Sequence, residues 1–263
     1  MGQNSVKLTI LGCGSSSGVP QINSGWGECD PGNPKNRRRR SSVLVQSTNT
    51  NLLVDCSPDC RQQLLDTEIR ALAAILFTHA HADHCHGIDD LRWINIAMKA
   101  DLPAYGDAQH LEILREKFAY AFEPMREDLP GIYYKPMLVP QAIAGAFEIG
   151  DITVRPFEQD HGFSTTLGFR FGDMAYTTDA VRLDETAFQA LEGVKTWVVD
   201  CFRREPHRTH SWLDNTLEWI EHVGPERAIL THMGNDLDYD ALNKETPDHV
   251  EAAYDGMVLE GIL

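Results

Sequence analysis

Residues 78 to 87 read THAHADHCHG and stand where a short apolar run, 73–77, gives way to helical spacing. Four ligand-type side chains crowded into one turn fit best at the end of a buried strand, where the next helix can splay them in different directions. His79 and His81 lie two apart, so an extended turn aims both imidazoles at one ion. Asp83 and His84 follow after a bend and face a second. Imidazole with carboxylate suits zinc, manganese or iron, and no thiolate is needed. Cys85 and His86 follow the turn and are not counted as ligands. The plain alternative is a solvated His-rich turn, which four spaced donors in a strand-to-helix context disfavour.

The rest of the chain supports an α/β protein, since short β-branched runs alternate with helical patterns and no repeat or linker divides them. Strands are expected at 6–11, 73–77, 196–201 and 227–231, and a hairpin at 42–46 and 51–55. Helices are expected at 58–65, opened by Pro58, at 87–98 with Ile88, Leu91 and Ile94 on one side, and at 107–122, 184–191 and 211–222. Between 131 and 178 the pattern is strand-like, around Tyr133, Phe147, 152–157, 167–171 and 174–177. One domain, 1–263, is expected.

Among 263 residues, 23 Lys plus Arg face 39 Asp plus Glu, a formal charge of −16. That balance repels long polyanions, so a long nucleic acid is not an expected partner. A small anionic substrate remains compatible, because bound cations offset charge locally. No apolar run reaches the roughly 18 residues of a membrane span. The N-terminus lacks the pattern of a secretory signal, and the six scattered cysteines read as reduced thiols, which together predict a cytoplasmic protein.

The His-x-His-x-Asp-His arrangement of His79, His81, Asp83 and His84 resembles the signature of the metallo-β-lactamase superfamily. Later segments continue the likeness: EQDH with His161, YTTD with Asp179 and ILTH with His232, each directly after an apolar run. The resemblance implies an αββα sandwich, two packed β-sheets flanked by helices. It also implies two divalent ions, Zn2+ or Mn2+. His79, His81 and His161 would hold one, Asp83, His84 and His232 the other, with Asp179 between them. Such a pair activates a shared water as hydroxide for hydrolysis.

Within the superfamily the segments LGCGSSSGVP, Arg39-Arg40, Leu91-Arg92-Trp93 and Val199-Asp200-Cys201 resemble the cyclic phosphodiesterases of bacterial phosphonate degradation, the carbon-phosphorus lyase pathway. A more distant likeness is to the tRNA 3′-processing endonucleases. The implied substrate is a small phosphodiester, a nucleotide or a ribose cyclic phosphate. His210, followed by Ser211, matches a catalytic histidine of those phosphodiesterases and is the candidate general acid, with Asp83 as the second catalytic residue. His207 competes with His210, and the plain alternative for His210 is a helix cap. The family also places an aspartate beside the ligands at Asp55, whose alternative is a cap ahead of Pro58.

Other residues carry weaker signals. Arg37, Arg38, Arg39 and Arg40 can receive phosphate or simply be solvated. Asp89 and Asp90 read as structural, with Asp89 paired to Arg92. Gly12, Gly14 and Gly18 permit a tight turn beside the site. The phosphonate-pathway enzymes have a structural zinc site of cysteines and a histidine. Here only Cys29 remains and Asn235 stands at the histidine's position, so the loop 25–36 must be held otherwise. The rival functions are a thioester or lactone hydrolase, and an accessory protein like the pyrroloquinoline quinone biosynthesis B family, which SPDCRQQLL at 57–65 resembles. A homodimer is compatible with the sequence.

Overall fold

A computed structural model describes residues 5–128 and 131–263. Two seven-stranded sheets face each other. The first contains β1 (Ser5–Gly12), β2 (Ser42–Gln46), β3 (Asn51–Val54), β4 (Ala74–Leu76), β5 (Leu102–Gly106) and β6 (Leu138–Ala142) in chain order. The second runs from β7 (Phe147–Ile149) through β8 (Ile152–Asp160), β9 (Thr165–Phe171), β10 (Met174–Tyr176), β11 (Thr196–Asp200) and β12 (Arg227–Thr231) to β13 (Val250–Ala252). The last strand, β14 (Val258–Ile262), returns to the first sheet and pairs antiparallel with β1.

Side-chain alternation explains the sandwich. Along β2 and β3, Val43, Val45, Leu52 and Val54 enter the core shared with the second sheet. Leu44 and Leu53 point the other way, into a second core beneath the helices. Period-two burial on both faces demands a cover on each side, which makes four layers. The outer cover of the first sheet includes α1 (Cys60–Thr67), α2 (Ala82–Cys85), α3 (Leu91–Met98), α4 (Ala108–Lys117) and α5 (Ala119–Phe122). The second sheet is covered by α6 (Glu185–Leu191), α7 (Leu213–Val223) and α8 (Tyr239–Glu245), which place Ala187, Leu191, Trp219, Ile220 and Leu242 in its core. The fold is the expected αββα sandwich.

Strand direction positions the site. β3 and β4 run parallel, as do β10, β11 and β12, and β8 is twice antiparallel and so shares the direction of β10. Their C-terminal ends therefore gather at one edge, where loops are free to carry chemistry.

Several sequence expectations need correction. The helix expected over 107–122 breaks at Phe118, whose backbone (φ −126°, ψ 40°) leaves helical space while its ring packs edge-on against His86. Pro58 precedes α1 by two residues rather than opening it. No strand forms at Tyr133, whose carbonyl instead accepts from Arg92 Nε at 2.8 Å. That bond replaces the expected Asp89–Arg92 pair, and Asp89 accepts from the Tyr120 hydroxyl at 2.5 Å. The sequence pattern does not announce β5 and β6, because Pro103 and Pro140 weaken a strand signal, or β13, which is three residues long. Among the described residues no helix is long and apolar enough to cross a membrane.

Candidate metal centre

The turn after β4 opens the site. Thr78 and Asp55 fix it: Asp55, just past β3, accepts from Thr78 N and Thr78 Oγ1, both at 2.8 Å. His79 then points inward, His81 precedes α2, and Asp83 and His84 occupy the single turn of α2 itself. From the second sheet come His161 after β8, Asp179 after β10 and His232 after β12. Seven residues separated by up to 153 positions thus meet at one edge, 79 to 232.

They form two donor sets, each with ligand atoms within 4.8 Å of one another. One is His79, His81, His161 and Asp179; the other is Asp83, His84, His232 and Asp179. Asp179 divides its carboxylate between them. Its Oδ1 lies 3.9 Å from His79 Nε2 and 3.8 Å from His161 Nε2. Its Oδ2 lies 2.9 Å from His84 Nε2 and 3.4 Å from His232 Nδ1.

The imidazoles are oriented from behind. Nδ1 of His79 meets Thr78 Oγ1 at 3.0 Å, Nδ1 of His84 meets Asp55 Oδ2 at 2.6 Å, and Nδ1 of His232 meets Ser41 Oγ at 3.0 Å. Nδ1 of His161 donates to the Thr209 carbonyl at 2.7 Å. This leaves Nε2 of His79 and His232 buried and without a hydrogen bond, while Nε2 of His84 faces the carboxylates of Asp179 at 2.9 Å and Asp83 at 3.2 Å. Buried nitrogens in that state are costly unless a ligand meets them, and a divalent cation meets the lone pair of a neutral imidazole. The donor set therefore fits two such ions.

Protonation agrees with that fit for most of the ligands. Burial pushes His79, His81, His161 and His232 below the ordinary imidazole range, which keeps them neutral and able to bind metal. His84 differs: burial would lower it, but the carboxylates of Asp179, Asp83 and Asp55 outweigh burial and raise it well above the usual value. For Asp83 burial works upward, yet the neighbouring His84 charge carries the carboxyl down to about 2. Asp179 is likewise held well below its usual value, since the His232 and His84 imidazoles packed against it, His84 hydrogen-bonded to it, outweigh burial.

Backbone strain concentrates here too. Asp55, Asp179 and His232 adopt left-handed conformations with φ of 62°, 55° and 58°. The other two such non-glycine residues among those described, Glu68 and Lys99, merely end helices α1 and α3. Left-handed backbone costs on the order of 1–3 kcal/mol per residue when not glycine, and it persists where a site requires it.

His210 lies beside the donor sets, stacked on His232 with ring centroids 4.9 Å apart. Its Nδ1 is 3.5 Å from Asp200 Oδ2 and 3.6 Å from Asp179 Oδ1. Burial would lower its pKa, but Asp200, Asp179 and Asp83 together raise it. His207 packs against His210 at 5.3 Å but is not among the residues lining the cleft, and burial lowers it. A cleft of about 280 Å³ opens onto the site, lined by Ser16, His81, Asp83, Phe163 and His210 among others, with no lysine or arginine among its lining residues.

Sequence reasoning gave Asp200 no role of its own. It ends β11 and accepts from Ala180 N at 3.0 Å, which links the Asp179 turn to the His210 loop. An apolar strand closing in aspartate, TWVVD like NLLVD at Asp55, was the available signal. Asp55 is no helix cap; it holds His84. The arginine run serves the structure rather than the cleft. Arg38 is buried and donates to the carbonyls of Gly234 at 3.0 Å and Leu237 at 2.6 Å, Arg39 pairs with Asp255 and Asp66, and Arg40 with Asp59. Arg37 stacks over Trp26.

A two-sheet sandwich carrying this ligand edge defines the class of the metallo-β-lactamase fold. The chain belongs to the beta-lactamase superfamily: the profile of the beta-lactamase superfamily domain matches residues 50–233. A solved structure described as a new diphosphatase from the PhnP family is 32% identical, with a TM-score of 0.90 over 98% of each chain. An octanoyltransferase of Porphyromonas gingivalis is 30% identical over 98% of this chain and 52% of its own length. A ribonuclease Z of Bradyrhizobium is 28% identical over 52% of this chain and 46% of its own. The chain thus spans about half the length of the curated relatives it matches.

Proposed function

We propose that this protein is a two-metal hydrolase of small organic phosphodiesters. The observation that carries the reading is Asp179, whose two oxygens each face one set of three further donors. His79, His81 and His161 would hold one ion, Asp83, His84 and His232 the other, and Asp179 both. Zinc and manganese suit these donors. Divalent ions bound there supply Lewis acidity, which lowers the pKa of water and offsets charge on phosphoryl oxygens.

The chain's own groups do the rest. Asp55, Ser41, Thr78 and the Thr209 carbonyl lock the ring orientations of the ligands. His210 is the proton carrier beside the cleft, its Nδ1 3.5 Å from the carboxylate of Asp200, which lies outside both donor sets. As a water oxygen bonds to phosphorus and gives its proton up to solvent, the bond from phosphorus to the leaving oxygen breaks, its electron pair stays on that oxygen, and His210 delivers a proton to it. Asp83, held as a carboxylate, would bind the second ion.

The diphosphatase and ribonuclease Z names among the relatives favour phosphoryl chemistry. Acyl thioester hydrolysis is the competing reading, favoured by the octanoyltransferase likeness. Zinc- or manganese-loaded protein assayed with bis(p-nitrophenyl) phosphate, a ribose 1,2-cyclic phosphate, a dinucleoside diphosphate and an octanoyl thioester distinguishes them. Turnover of a diester upholds the proposal. Turnover of the thioester alone overturns it.

A further inference from the structure

Phe163 is 88% exposed and is the one aromatic hydrocarbon side chain lining the 280 Å³ cleft. Single exposed apolar residues are ordinary on protein surfaces, but this one is neither isolated from the site nor loosely held. It sits in the turn between β8 and β9, two residues after His161. Phe163 N donates to the His161 carbonyl at 3.0 Å, and His161 N donates to the Ser164 carbonyl at 2.9 Å. Gly162 N donates to Asp160 Oδ1 at 2.7 Å. The turn is also pressed against the His210 loop: Gly162 takes a left-handed φ of 79°, and a Cβ there would stand 2.7 Å from the Arg208 carbonyl and 2.9 Å from Thr209 Cγ2. The ring is therefore presented to solvent by backbone that both the ligand His161 and the His210 loop hold in place.

The remaining cleft lining is polar: Ser16, His81, Asp83, His161, Ser164, Asp179, Thr209 and His210. A substrate that binds here meets a polar, ligand-bearing floor and one flat apolar wall. Lacking a lysine or arginine on that wall, the cleft offers nothing for a second anionic group beyond the ions. What the wall does offer is an exposed ring face on a backbone held in place, and a flat aromatic group can stack on such a face.

Resting on the phosphodiesterase reading, we propose that Phe163 is a specificity-determining residue that stacks the nucleobase of a nucleoside phosphodiester whose phosphate lies at the metal centre. Base–aromatic stacking is worth about 1–3 kcal/mol, so its loss should weaken binding by roughly 5- to 150-fold.

The test pairs two substrates with the same leaving group, thymidine 5′-(p-nitrophenyl) phosphate and methyl p-nitrophenyl phosphate. Phe163→Ala should raise KM for the thymidine ester roughly 10-fold or more, with far less change for the methyl ester, and Phe163→Trp should restore the preference. A binding arm runs without turnover: calorimetric titration of zinc-loaded protein with thymidine 5′-monophosphate should show the same loss in Phe163→Ala. If neither ester is cleaved while that loss is seen, the phosphodiesterase reading fails and the stacking role stands. Failure of the monophosphate to bind the wild type, or equal binding by the variant, overturns the stacking role. So does an equal slowing of both esters accompanied by lost metal, which would make Phe163 a brace for His161.

Discussion

Two buried polar assemblies lie close together in this molecule and are built on opposite principles. At the candidate metal centre, Nε2 of His79 and His232 and Nδ1 of His210 are buried without hydrogen bonds, while three backbones sit in left-handed space. Around Arg38, both terminal guanidinium nitrogens are bonded, to the Gly234 and Leu237 carbonyls and Asn36 Oδ1, and Nε alone is left without a partner. Asn36 and Asp30 N in turn share Asp238, and Asn235 donates to Ser24 Oγ at 3.0 Å and the Gly25 carbonyl at 3.2 Å. The second assembly ties the 25–36 loop to the segment after β12 with side chains and carbonyls. In the second assembly nearly every polar group is spent holding chain to chain; in the first, several nitrogens are left open for a ligand.

The sharpest way to break that contrast is at His210. His210→Ala should retain its metal but lose roughly 10²- to 10⁴-fold in kcat on a diester with an alkoxide leaving group. The loss should be much smaller with p-nitrophenolate, which departs without a proton. Equal loss on both substrates would remove His210 from proton delivery.

Asp55→Asn keeps the shape of the carboxyl but weakens its hold on His84. Metal affinity should fall roughly 10- to 100-fold, read by competition with a chromophoric chelator. Affinity should also follow pH in a stated direction. His84 is raised in the metal-free protein, hence protonated there up to a pH above its ordinary value. Metal needs the neutral ring, so binding displaces that proton; below the raised pKa, affinity should drop about tenfold per pH unit for each proton released. Calorimetry in buffers of different ionisation enthalpy counts the protons, and pH-independent binding would contradict the account.

The smallest functional effect belongs to the other assembly. Arg38→Met strands the Gly234 and Leu237 carbonyls and should cost about 3 kcal/mol of stability, measured by urea unfolding. Metal stoichiometry should be unchanged. A stable variant that loses metal would show that the two assemblies are coupled.

Much of the centre was legible because its donors follow short apolar runs, and a strand's C-terminal end is where an α/β fold exposes side chains. The turn from His79 to His84 declares itself by spacing alone. His161, Asp179 and His232 do not, since a lone histidine or aspartate after a strand has many uses; resemblance brought them together. Asp200 was passed over because its work is local, joining two turns that are distant in sequence. The arginine run misled for a related reason: its partners, Asp255, Asp59 and the Gly234 carbonyl, lie up to 216 positions away. β5 and β6 were hidden by their prolines, although neighbours in the sheet supply the pairing that local propensity lacks.

Metal stoichiometry tests the central claim most directly. Protein stripped with chelator, reloaded with zinc or manganese and desalted should carry about two ions per chain by elemental analysis, and Asp179→Ala fewer, with activity lost. A wild type that binds a single ion, or an Asp179→Ala variant that keeps both, would contradict a centre organised around one shared carboxylate.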